Sequence, residues 1–304
     1  MVILVNLLLW TSLSLGTGGS IVVPNDAANS DGNDSAYFPF VAGDMRYQQV
    51  YDASQFPAIP HGGAFITRIF FRPDCRLSLG GTIYTNVLIR LSTTSKGPDQ
   101  LSADLEGNLG ANDMIVFEPS SFTVGAGGAS CPGPAAFEDD LELDTPFFYN
   151  PADGNLLLEV RLNGAAFFNR GGFAHDAVNV TGDSVSRAYG NSFSTNVAAQ
   201  VDTSGLVTEF QYDVVPSLTN SLTTNAVVIT WPVQPKNFVL QWAHELGSSS
   251  NWQLYTNQIG GGASYHVLSL PRDSLDQARY FRLACPSCPP IAQSSPSTTA
   301  SATR

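Results

Sequence analysis

DTPFFYNPADGNLLLEVRL, residues 144–162, poses the choice that decides the fold. The pentapeptide NPADG (150–154) is either a site, with a carboxylate held between proline and glycine, or a corner between two strands. Its flanks favour the corner. Pro151 suits the second position of a type I turn, and Asp153 and Gly154 tolerate positive φ. Beyond them Leu156, Leu158, Val160 and Leu162 share one face of an alternating strand, with Glu159 and Arg161 on the other. Asp153 is then expected to cap its own backbone rather than to meet a ligand.

The same alternation recurs on both sides of the corner. Residues 64–72 (AFITRIFFR) place Phe65, Thr67, Ile69 and Phe71 on one face, with Arg68 and Arg72 on the other. Residues 82–92 place Val87, Ile89 and Leu91 inward and Arg90 outward. Strand-like runs at 114–116, 136–149, 186–189 and 206–212 continue the series, and no long run has helical period. Gly (27) and Pro (19) supply turns, 43% hydrophobic residues supply a core, and charged residues stop at 13%, against about a quarter in soluble domains. The fold class expected is all-β: a jelly-roll-like β-sandwich over residues 21–213. A Pro/Ser/Thr/Asn stretch, VVPSLTNSLTT, then reads as a linker at 214–224. A compact second set of strands follows over 225–288, at 226–231, 238–244, 252–255, 265–270 and 279–285. Residues 289–304 are Ser/Thr/Pro-rich and expected to be disordered.

Residues 1–20 (MVILVNLLLWTSLSLGTGGS) hold an apolar segment of signal-peptide length followed by small residues, without a positive n-region. They are read as a secretion signal, which makes the protein secreted or cell-surface, with no transmembrane segment in the mature chain. Four cysteines fit an oxidising compartment. Pairing Cys75 with Cys131 and Cys285 with Cys288 is the simplest of three connectivities. CPSC (285–288) stands before Pro289-Pro290 rather than at a helix start, which argues against redox chemistry.

The chain carries 14 basic and 26 acidic residues, a net charge of −12. Such a balance repels phosphate backbones and argues against nucleic-acid binding. It suits divalent cations or neutral glycans. Asp26, Asn29, Asp31, Asn33 and Asp34 crowd one Gly-containing loop, the oxygen-rich chemistry that Ca²⁺ prefers, though their spacing is not that of an EF-hand. That loop is the candidate Ca²⁺ site, set against the reading that polar Asn/Asp/Gly loops are simply turns. Asp140, Glu142 and Asp144 alternate with Leu141 and Leu143, as a solvated strand face does. His61, His175, His244 and His266 are scattered, and neither HExxH nor GxSxG occurs. Trp231 is expected in a core, and Trp242 and Trp252 as packed residues before binding ones. Tyr47, Tyr51 and Tyr84 are candidates for a concave sugar-facing surface.

Five blocks carry a resemblance: MRYQQVYDASQF (45–56), ITRIFFRPD (66–74), LIRLSTTSKGPDQLSADLEGNLGAND (88–113), TPFFYNPADGNLLLEVR (145–161) and GDSVSRAYG (182–190). Residues 21–213 resemble bacterial secreted proteins, many of which carry a PEP-CTERM sorting tail. The resemblance implies an exported β-sandwich at the cell surface or in the matrix, and no catalytic residues. The Pro-Glu-Pro motif, apolar span and basic residues of such a tail do not follow Cys288 here. The second set of strands resembles a fibronectin type III or Ig-like module, with VVITWP (227–232), FVLQWAHEL (238–246) and ARYFRLAC (278–285) standing as strands B, C and F. The leading expectation is an exported non-enzymatic protein, structural or adhesive toward an extracellular polysaccharide. A secreted carbohydrate-active enzyme, whose carboxylate pair the sequence does not identify, and a calcium-dependent binding module are the alternatives.

Overall fold

The structure is a computed structural model that describes residues 18–40, 43–74, 81–125, 133–168, 174–233, 238–245, 251–257, 259–262, 264–271 and 279–286. These residues form antiparallel sheets with three short 3-10 turns. The strands of the first part are β1 (Gly19–Val23), β2 (Asp34–Ala36), β3 (Met45–Tyr51), β4 (Ala64–Phe71), β5 (Gly81–Thr94), β6 (Met114–Val124), β7 (Asp139–Tyr149), β8 (Asn155–Phe168), β9 (His175–Asn179), β10 (Val185–Gly190), β11 (Gln200–Asp202), β12 (Ser204–Leu206) and β13 (Thr208–Val214). The second part adds β14 (Thr219–Leu222), β15 (Ala226–Pro232), β16 (Val239–Ala243), β17 (Gln253–Leu254), β18 (Gly260–Gly261), β19 (Tyr265–Pro271) and β20 (Tyr280–Ala284).

A four-stranded sheet, β1-β13-β4-β7, and a six-stranded sheet, β11-β10-β3-β8-β5-β6, share one apolar core. Ile66, Ile69, Phe71, Phe147 and Phe210 enter it from the first sheet, and Tyr47, Val87, Ile89, Leu158 and Val160 from the second. NPADG is the corner between these two sheets: β7 ends in one, and β8 begins in the other. The chain does not turn back on its own sheet, as a hairpin would. Pro151–Asp153 form a single 3-10 turn. Asn150, not Asp153, supplies the cap, its side chain accepting from the Ala152 amide while the Asp153 amide donates to the Asn150 carbonyl. Gly154 has φ 144°, and a Cβ there would stand 2.8 Å from the Thr94 carbonyl oxygen, so glycine is required on both counts.

The expected inward residues of β5 and β8 are all buried in the core. β4 departs from strict alternation. A bulge at Thr67 shifts the register against both β7 and β13, so Ile66 and Ile69 both enter the core. Phe65 consequently faces the other way, packing on Phe148 (ring centroids 5.4 Å) and on Phe238 of the second part (5.8 Å). Along 139–144 the acidic alternation holds, with Leu141 and Leu143 buried and Asp140, Glu142 and Asp144 exposed.

The second part packs β14-β15-β19-β18 and β17-β16-β20 around Ile229, Trp231, Leu240, Leu268 and Leu270. The stretch read as a linker at 214–224 contains β14, paired with β15 from Thr219↔Thr230 to Leu222↔Val227. Gly19 and Ser20, placed at the end of the expected signal segment, lie in β1 against Tyr212 and Gln211. The rest of that segment, 1–17, and the tail 289–304 lie outside the described residues. No helix among the described residues is long and apolar enough to cross a membrane.

Candidate functional site

The sequence places Glu159 on the face of β8 opposite its core residues, and there it is fully buried. The outer face of the six-stranded sheet is covered over β3, β8 and β10. Segments 95–113 and 191–199 fold over it, tied together by Leu105 N–H to Asn196 O (3.0 Å) and Ala198 N–H to Ala103 O (2.8 Å). Leu101 and Leu105 pack from this cover on Val50, Leu157 and Ala188. Beneath it one Glu159 oxygen accepts from Arg46 Nε (2.8 Å), Arg46 NH2 (2.6 Å) and Gln48 Nε2 (2.6 Å), and the other from Arg161 Nε (2.7 Å) and Arg90 NH1 (3.4 Å). Burial pushes the Glu159 carboxyl up, but Arg46 and Arg161 outweigh it and hold the group below the ordinary carboxylate range. Glu106 of the cover reaches Arg46 at 2.8 Å, and Asp113 pairs with Arg90. Glu159 is therefore a fixed counter-ion.

The candidate Ca²⁺ loop is organised by a cation of the protein's own. Arg72, expected on an outer face, is 1% exposed. Its NH1 donates to Ala27 O (2.8 Å) and its NH2 to Ser30 O (2.7 Å), while Asp176 pairs with the same guanidinium. Asp176 also accepts from the Gly32 amide at 2.8 Å. The loop's inward carbonyls thus already face a positive group. Of the five residues, Asp26, Asp31 and Asn33 line a common cleft, whereas Asn29 and Asp34 do not. Asn33 is tied to Asn179, accepting from its amide (2.8 Å), and Asp34 accepts from the Ser35 amide (2.8 Å). No group of three or more His, Cys, Asp or Glu arranged to hold a metal occurs among the described residues.

That cleft is a cavity of about 620 Å³, bounded by the 24–33 segment, the 52–55 turn and residues 178–184. Asp52 and Asp183 join Asp26 and Asp31 on its wall, with Ser54 beside them. Asp183 Oδ1 accepts from the Val185 amide, and its buried Oδ2 has no hydrogen-bond partner. Burial raises the Asp183 carboxyl, and nearby Asp99 adds to the rise against the backbone donors. The wall is rich in acceptors, which suits a ligand bearing many hydroxyls. Sequence reasoning missed Asp52 and Asp183 because only the fold brings them to the 26–33 loop.

Other sequence candidates take structural places. Tyr47, Tyr51 and Tyr84 are fully buried rather than concave and exposed. Tyr47 Oη donates to Gln49 (2.5 Å), and Tyr51 Oη bonds Thr208 (2.8 Å), so their polar ends are used inside the core. His175 Nε2 stands 2.8 Å from Asp139 Oδ2, both buried. Trp231 is in the core of the second part as expected. Trp242 and Trp252 are half-buried, with Arg279 and Arg282 over their rings at 5.6 and 4.3 Å. Cys285 is the one cysteine among the described residues. Cys75, Cys131 and Cys288, and with them the expected pairing, lie outside those residues. No protein-family model matches this chain, nor does any curated protein or solved structure.

Proposed function

We propose that this is an exported, non-enzymatic protein of the cell surface or extracellular matrix, structural or adhesive toward an extracellular polysaccharide. In this reading a jelly-roll-like sandwich is followed by an Ig-like module, and the acceptor-lined cleft is a surface on which sugar hydroxyls bond. One observation carries it: the fully buried Glu159 and the nearly buried Asp176 are each committed to an internal arginine. Carboxylates fixed in this way hold the scaffold and are removed from acid–base work. Asp26 and Asp31 are exposed at the cleft, where they act as hydrogen-bond acceptors.

The test is retention of the purified full chain on a panel of extracellular polysaccharides, with calcium or with chelator, while released reducing ends are assayed. Retention without release is the expected result. Release of sugar ends would replace this reading with a carbohydrate-active enzyme, and loss of retention in chelator would make the binding calcium-dependent.

A further inference from the structure

Basic and acidic residues are divided unevenly along the chain. The first 224 residues hold 9 basic and 23 acidic side chains, and residues 225–288 hold 4 and 3. Among the described residues of the first part, Arg46, Arg68, Arg72, Arg90, Arg161 and Arg187 each have a carboxylate partner. Arg279 and Arg282 of the second part are exposed and have none among the described residues.

Arg282 belongs to a defined row. Leu254, Gln241 and Arg282 are direct cross-strand neighbours over β17, β16 and β20, on the face opposite core residues Leu240 and Leu283. Trp252 lies two residues before Leu254 and so shares that face. Arg282 stacks over the Trp252 ring, and its Nε donates to Gln241 Oε1 at 2.9 Å. The contact orients a planar guanidinium without neutralising it. Leu254 is 54% exposed beside it. The face therefore combines flat apolar surface, an amide and a fork-shaped cation with no carboxylate partner among the described residues.

We propose that this outer face of the β17-β16-β20 sheet is the contact surface for an acidic polysaccharide whose sugar rings bear carboxylates. The apolar faces of the rings lie on Trp252 and Leu254, a ring carboxylate pairs with Arg282, and Gln241 bonds a hydroxyl. Charge complementarity selects the acidic ligand, because a neutral glycan would leave the guanidinium unmatched. At physiological salt the screening length is about 8 Å, so the acidic first part does not cancel this local attraction. The inference rests on the polysaccharide-holding reading above and deepens it.

The experiment measures retention of the full chain on polygalacturonate and on neutral dextran at 0.15 M salt, for wild type, R282Q, R282K and W252F. Near-ultraviolet circular dichroism confirms that each variant is folded. Wild type is expected to hold polygalacturonate in preference to dextran. R282Q should weaken that retention about tenfold or more, the magnitude of a lost charge-assisted bond, and R282K should restore only part of it. Folded R282Q and W252F that hold polygalacturonate like wild type would overturn this site while leaving the adhesive reading in place. Failure of every polysaccharide would overturn both. Self-association that R282Q abolishes, without polygalacturonate retention, would overturn the proposal in favour of a second copy's acidic surface.

Discussion

Arg46 and Arg282 are both guanidiniums on the outer face of a β-sheet, and their surroundings have little in common. Arg46 lies under the 95–113 and 191–199 cover, fully buried, with Glu159, Glu106, Asn196 and the Thr195 carbonyl on its nitrogens. Arg282 stands in solvent on an indole, bonded to one glutamine. A buried cation must be matched locally, because neither water nor salt reaches it. An exposed one keeps its charge available. In a chain with only 14 basic residues, the first part pairs each of its described arginines with a carboxylate, and the second leaves two exposed without one among the described residues.

The sharpest way to break this comparison is to remove the counter-ion. E159Q leaves Arg46 and Arg161 with only the half-exposed Glu106, and is expected to cost about 3–5 kcal/mol in denaturant unfolding. The same variant tests the pH dependence. A carboxyl held low in the folded state contributes stability that is present above its unfolded value, about 4.3, and is lost as pH falls through the folded value. The wild-type protein should therefore lose stability steeply below about pH 4, and E159Q should lose less. D176N strands Arg72 and loosens the 27–32 segment. We expect a loss of about 2–4 kcal/mol and faster proteolysis in that segment.

Smaller effects sharpen the contrast. D183N removes a charge that burial and Asp99 disfavour while keeping an acceptor for the Val185 amide, so it should raise stability by roughly 0.5–1 kcal/mol. Lowering pH toward, but not below, about 4 should give wild type part of the same benefit, because a carboxyl raised in the folded state is relieved on protonation in that window. R282Q and R279Q should each change stability by less than about 0.5 kcal/mol. A loss as large as that of E159Q would mean these arginines are scaffold after all.

Much of the fold was legible because alternation reports the core face directly. Leu156, Leu158, Val160 and Leu162 were placed from their spacing alone. What alternation cannot report is whether the other face is wet. Glu159 read as lying on the face away from the core, yet it is buried, because the 95–113 and 191–199 segments, distant in sequence, cover it. The bulge at Thr67 inverted the phase of Phe65 for a similar reason: a single extra residue leaves no compositional mark. The oxygen-rich 26–34 loop was visible as a cluster. The guanidinium that orders it comes from position 72, and half of the cleft's acidic wall from 52 and 183. Strand β3 (MRYQQVY) escaped strand assignment because Arg46, Gln48 and Gln49 look solvated, yet all seven residues are buried. Gln49 is held inside by bonding the Leu206 amide and carbonyl of β12 (2.8 and 2.9 Å).

Stability and ligand retention, set side by side for E159Q and R282Q, separate the buried arginine from the exposed one. Both are read on the full chain, by urea unfolding and by retention on polygalacturonate per folded molecule. E159Q is expected to lose several kcal/mol of stability and to retain polygalacturonate normally once folded. R282Q should unfold like wild type and lose retention. The reverse pattern, or both properties moving together in both variants, would contradict that separation.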